Sequence, residues 1–201
     1  MAGDDDTHSG PLAEFAALRE EINRAWDLSW KVVALQLTSV GAIFGFSLSS
    51  NARAPLLLIV PFSSYVLCAR WVLFSYTAYR AADYIRTVLS VKVPGGLQWE
   101  WWAARHRQRY GIERLRSLNP NLLLFFGSPC LALLVVAMWF SFAKPADYSS
   151  LGVSLGGILL WLLGVVLAAL TFTLAWPIAS GKARRTLAVY ADNSREALPD
   201  E

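Results

Sequence analysis

Four apolar windows, each long enough to cross a bilayer, restrict this chain to a narrow set of folds. They are VVALQLTSVGAIFGFSLSS (residues 32–50), APLLLIVPFSSYVLCARWVLFSY (54–76), NLLLFFGSPCLALLVVAMWFSFA (121–143) and LGVSLGGILLWLLGVVLAALTFTLAWPIA (151–179). A helix rises about 1.5 Å per residue, so a hydrocarbon core of about 30 Å takes roughly 20 mostly apolar residues. Gln36 interrupts the first window and Arg70 the second. A buried helix of a soluble protein seldom stays apolar for so long. The expected fold is all-α: a polytopic membrane protein with four transmembrane helices and a helical cytoplasmic collar.

Composition agrees. Hydrophobic residues make up 55% of the 201 and charged ones 16%, against about a quarter charged in an ordinary soluble domain. Cys68 and Cys130 both lie in apolar runs and read as small buried hydrophobes rather than a disulfide framework or a CxxC-type metal site. With only His8 and His106 besides, soft ligands are too few for a transition-metal centre. The cofactor expectation is none. MAGDDDTHSGPLAEF lacks the basic n-region and apolar h-region of a cleavable signal peptide, so the first span should direct insertion.

Positively charged residues stay on the cytoplasmic side and set orientation. Of the 18 Lys and Arg residues, fifteen fall before the first span, between the second and third, or after the fourth. Only Arg53 and Lys144 lie in the other connections, and Arg70 is inside a span. The expected location is therefore the bacterial cytoplasmic (inner) membrane, multi-pass, with both termini cytoplasmic. The chain divides into a flexible head (1–11), an amphipathic cytoplasmic helix (12–31), the first two spans, a cytoplasmic helical loop (77–120), two further spans and a cytoplasmic tail (180–201).

Between residues 12 and 26 the apolar side chains Leu12, Phe15, Leu18, Ile22 and Trp26 recur at spacings of three and four, an amphipathic stripe. Glu20 precedes Arg24 and Asp27 precedes Lys31 by four residues, the favourable order for helical ion pairs. No breaker separates this stripe from the first span, which predicts one helix from about 12 to 50. The second span should run on until Pro94, Gly95 and Gly96 end it.

The next segment, PGGLQWEWWAARHRQRYG (94–111), is too polar to cross a membrane. As a helix it sets Trp99, Trp102, His106 and Tyr110 on one face, flanked by Arg105, Arg107 and Arg109. Tryptophan suits the headgroup boundary, and arginines are drawn to anionic inner-leaflet lipid. Trp101 points away from that face and is expected against protein. The partners implied are anionic membrane lipid, a cytoplasmic protein and a second copy of the chain. Nucleic acid is not among them, because the net charge is only +3 and topology already accounts for the positive residues.

Inside the spans, Arg70 and Gln36 form the candidate intramembrane polar site, since a charge within a span is costly and a functional hypothesis by default. Snorkelling of Arg70 to the cytoplasmic interface is the plainer reading. No span contains a carboxylate, which argues against an ion-coupled transporter. Gly41 and Gly45 form GxxxG, and Gly152 with Gly156 and Gly164 with Ala168 repeat the spacing, which allows close backbone approach within the bundle or between copies. No HExxH, Walker loop or GxGxxG occurs, so the chain is read as a non-enzyme.

FAALREEI (15–22) and YIRTVLSVKVPGGLQWE (84–100) resemble an uncharacterised family of short bacterial integral membrane proteins that pair an LREEI-like helix with a YIR…PG…WE segment. The resemblance covers roughly the first 110 residues and implies four spans without a mechanism. A looser, fold-level likeness is to small multi-span effectors of bacterial defence systems, an analogy only. Both motifs lie on the cytoplasmic side of the expected topology, which suggests that Glu20 or Glu21 pairs with Arg80 or Arg86 and that Trp101 packs on Phe15, Leu18 or Ile22. The function expected is docking or sensing of a cytoplasmic partner or anionic lipid through the basic and aromatic collar. The alternative is an oligomeric ion-conducting pore or a membrane-disrupting effector, with Arg70 and Gln36 lining its path.

Overall fold

The computed structural model describes residues 6–49, 51–93, 120–142 and 151–180, among which helix is the only regular structure. Helix α1 runs Asp6–Leu48, α2 Ile59–Tyr84, α3 Ser128–Phe142 and α4 Leu151–Ala179. Four helical stretches are long and apolar enough to cross a membrane: Gly10–Leu48, Ala54–Leu89, Pro120–Ser141 and Leu155–Ile178. The protein is an all-α membrane protein with four such helices.

Helix α1 starts inside the segment expected to be a flexible head. Pro11 lies in its second turn, where it removes one backbone bond without ending the helix. The second apolar stretch differs more. It opens as a 3-10 helix over Asn51–Leu58 and becomes α-helical only at Ile59. Pro55 and Pro61 carry no N–H, so the i→i−4 ladder there lacks two donors and the tighter winding takes over. The third stretch contains a π turn at Leu123–Gly127. In π winding the Leu124 carbonyl would meet the N–H of residue 129, and Pro129 has none. The Ser128 hydroxyl takes over that task, donating to Leu124 O at 2.6 Å. Another π turn, Ile85–Leu89, follows α2, with Ser90 N–H bonded to Ile85 O.

The chain divides into two compact units. The first takes Met1–Ser29, Leu73–Ser117 and Pro177–Glu201; the second takes Trp30–Val72 and Leu118–Trp176. The divisions at 29/30, 72/73 and 176/177 fall close to the membrane edges expected from hydropathy at 31/32, 76/77 and 179/180.

In the first unit, Ile22 and Ala25 of α1 are buried with Ala78, Ala81, Ile85 and Leu89, and Phe15, Leu18 and Ala82 pack on them. The working stripe of α1 is therefore Phe15, Leu18, Ile22 and Ala25. Leu12 and Trp26, expected in it, are 48% and 38% exposed. Three alanines at the contact let the backbones approach closely, and Trp26 meets Tyr79 edge-on at 6.0 Å between ring centres.

In the second unit, Leu57, Val60, Ala132 and Val136 form the core, covered by Val40, Ile43, Phe44, Phe140 and Trp161. Trp71 packs on the buried Phe125 at 5.7 Å. Trp161 Nε1 donates to Leu133 O at 3.0 Å, which gives the indole its polar partner while the ring fills apolar space. Many large apolar side chains of the four stretches remain exposed in the isolated chain, those of the fourth above all, as helices facing hydrocarbon require.

Candidate functional site

Among the described residues of the second unit, one amide is fully buried. Gln36 of α1 is fully buried; its Nε2 donates to Ser64 Oγ of α2 at 2.6 Å and to Ser128 Oγ of α3 at 3.3 Å. Ser64 Oγ lies 3.5 Å from Ser128 Oγ, and the Ser128 hydroxyl donates to Leu124 O. Donors therefore run in one direction, from the amide through two hydroxyls to a carbonyl freed by the π turn. Ser64 and Ser128 give no sign of this in sequence, because serine is common in membrane helices and neither spacing nor charge marks it. Gln36 Oε1 and Ser47 Oγ are buried and have no hydrogen-bond partner among the described residues.

The network ties three helices together, yet interhelical hydrogen bonds in membranes average only about 0.6 kcal/mol. Gln36→Leu, similar in volume, is thus expected to change stability by less than about 1 kcal/mol. Gln36→Ala leaves a cavity and should cost about 2 kcal/mol. Denaturant titration of the purified protein in mixed micelles reads both, and a leucine variant as damaged as the alanine one would show the hydrogen bonds themselves to dominate.

Arg70 is not part of this network. It is exposed on the outside of α2, so the structure does not bring it together with Gln36 as one polar site. The reason lies in helix phase: Ser64, Cys68 and Trp71 occupy the buried side of α2, and Arg70 falls on the opposite one. The cysteines separate in the same way, Cys68 buried with its Sγ 3.9 Å from Thr171 O, Cys130 exposed. Small-residue positions also divide. A Cβ on Gly164 would stand 2.8 Å from Leu133 Cδ2 and 3.3 Å from Pro61 Cγ, whereas Gly41, Gly45 and Gly156 have nothing within 4 Å. Gly164 thus packs inside the bundle and the GxxxG of α1 does not. Gly157, which the small-residue spacing does not single out, makes a close contact: its Cβ would lie 3.0 Å from Phe140 Cζ. The side-chain surroundings of Gly152 lie outside the described residues.

The collar helices do pair in the first unit, but not through the anticipated charges. Glu20, Glu21 and Arg80 are exposed, and Arg86 Nη2 instead pairs with Asp83 at 2.5 Å, three residues earlier. Exposed carboxylates gain little from an ion pair in water, so apolar and small residues decide the contact. A polar link is made by Tyr84, whose Oη donates to Glu14 at 2.8 Å, and Arg19 lies over the Phe15 ring at 5.4 Å. Trp99, Trp101, Trp102, Arg105, Arg107 and Arg109 lie outside the described residues.

Among the described residues no three His, Cys, Asp or Glu side chains converge as metal ligands would. No family model, no curated protein and no solved structure matches this chain.

Proposed function

We propose that this protein is a non-enzymatic module of the bacterial inner membrane, with both termini cytoplasmic, that docks a cytoplasmic partner or anionic lipid through its collar. What supports the reading is the packing of the first unit around Ile22, Ile85 and Leu89, with Glu20, Glu21, Arg24 and Arg80 on its exposed surface. A helical pair with its own core and a charged exterior is a built platform. The segment 94–111, next in the sequence after Val93, carries the tryptophans and arginines suited to an anionic surface. A pore lined by Arg70 and Gln36 gains no such support, because Gln36 is closed off by two serines and Arg70 faces outward.

The test is a triple variant, R105A/R107A/R109A. Each arginine near an anionic surface contributes about 1 kcal/mol, so retention of the collar's ligand should fall about a hundredfold. Proteins co-purifying with the membrane protein are quantified by mass spectrometry, alongside binding of phosphatidylglycerol vesicles to the detergent-solubilised chain. Partner and lipid profiles identical to those of the wild type would overturn the reading. Ion leak from liposomes containing the wild-type protein alone would favour the pore instead.

A further inference from the structure

We propose that Arg70 and the apolar stripe preceding it on α2 form a binding site for one anionic phospholipid, with the guanidinium on the headgroup phosphate and an acyl chain along Val66 and Phe62. The site lies on the outer face of a span and is independent of the collar reading.

The placement of Arg70 is unusual. Charged side chains in membrane helices almost always face the bundle interior or a water-filled cavity, where partners compensate them. Here the interior side of α2 is taken by Ser64, Cys68 and Trp71, all buried, and Arg70 is exposed. None of the described residues pairs with it. The same exposed face, at steps of three and four residues, carries Ile59 (50% exposed), Phe62 (61%) and Val66 (43%). Arg70 therefore stands directly after this apolar strip, with the exposed Leu73 (54%) three residues beyond it.

Depth makes an external anion necessary and a phospholipid the fitting one. Arg70 is six residues, about 9 Å of helix rise, short of the end of the apolar window at Tyr76. A guanidinium on its long stem can cover that depth by snorkelling, but only toward the headgroup level of the leaflet at the C-terminal end of α2. The anion found there is the lipid phosphate, whose oxygens match the planar fork of an arginine in a bidentate pair. The remainder of the lipid is an acyl chain running toward the bilayer centre, the direction in which Val66, Phe62 and Ile59 extend. Charge and shape thus select both halves of one ligand.

The experiment uses the full-length chain in detergent, incubated with dioleoyl phosphatidylglycerol or dioleoyl phosphatidylcholine, with bound lipids counted by native mass spectrometry. Wild type is expected to retain phosphatidylglycerol in preference, and Arg70→Ala to lower its retention about fivefold. Arg70→Lys should restore part of it, because a point charge keeps the attraction but not the fork. Thr38→Ala, at an exposed position of α1, should leave it unchanged. Thermal unfolding of the same samples identifies any variant that fails to fold, and in that case wild type alone decides, since equal retention of the two lipids overturns the site. Unchanged retention in folded Arg70→Ala also overturns it. So does a shift in oligomeric state with retention intact, which would make Arg70's partner an acceptor on a second copy. The R105A/R107A/R109A variant run in parallel keeps failure here distinct from failure of the collar reading.

Discussion

Gly164→Leu is expected to cost about 3 kcal/mol, the upper end of what overpacking a filled contact does. A Cβ there already meets Leu133 Cδ2 at 2.8 Å and Pro61 Cγ at 3.3 Å. The leucine tip can swing aside; the proline ring cannot, and Pro61 is itself fully buried. The further atoms of a leucine side chain must then push the helices apart, and the Leu57, Val60, Ala132 and Val136 core loosens with them. Gly156→Leu on the same helix provides the control, because nothing lies within 4 Å of its Cβ; it should stay within about 0.5 kcal/mol. Unfolding midpoints of the two variants in mixed micelles separate the cases. Equal damage at both positions would mean that leucine harms α4 wherever it is placed, and the close approach at Gly164 would lose its significance.

Ile85→Ala is expected to melt the first unit while the spans persist. Ile85 is fully buried and its neighbours include Ile22, Ala25, Ala78 and Leu89. Loss of its branched side chain should cost about 2 to 5 kcal/mol, the range for truncating a buried isoleucine to alanine. A contact formed largely by alanines has few atoms with which to fill the void, which favours the upper half of that range. Hydrogen exchange should show lost protection over residues 12–29 and 77–92, with that of residues 120–142 and 155–176 unchanged. Uniform loss throughout the chain would mean that the two units unfold as one, and unchanged exchange would mean that the α1–α2 contact is not what orders the collar.

Much of this architecture is legible in the chain. The windows at 121–143 and 151–179 correspond to helical stretches with bounds that agree to within a few residues, because length and apolarity are properties of the chain itself. The amphipathic stripe of α1 is legible as well, since Phe15, Leu18 and Ile22 stand among charged neighbours and one face is plainly distinguished. Its edges are harder to read. Ala25 rather than Trp26 is buried in the contact, because close packing against Ala78 and Ala81 has room for a methyl and not for an indole. Glu20 and Glu21 do not pair with Arg80 or Arg86 for a related reason: charge spacing registers which acids and bases could meet, and in water the apolar contact settles the phase of the helices first.

What only the tertiary structure decided is the facing of each span. A helix that is polar on one side announces its buried face by period, but α4 is apolar all round, so its sequence distinguishes Gly164 from Gly156 by nothing except neighbours contributed by other helices. Gln36 and Arg70 were alike as polar interruptions, and the structure turned one inward onto Ser64 and Ser128 and left the other outside. The sequence by itself determined how many helices are long and apolar enough to cross a membrane, because moving a side chain from water to hydrocarbon is a property of that residue. Which faces meet is a property of pairs, set by close packing between helices that lipid alone would solvate equally well on every side.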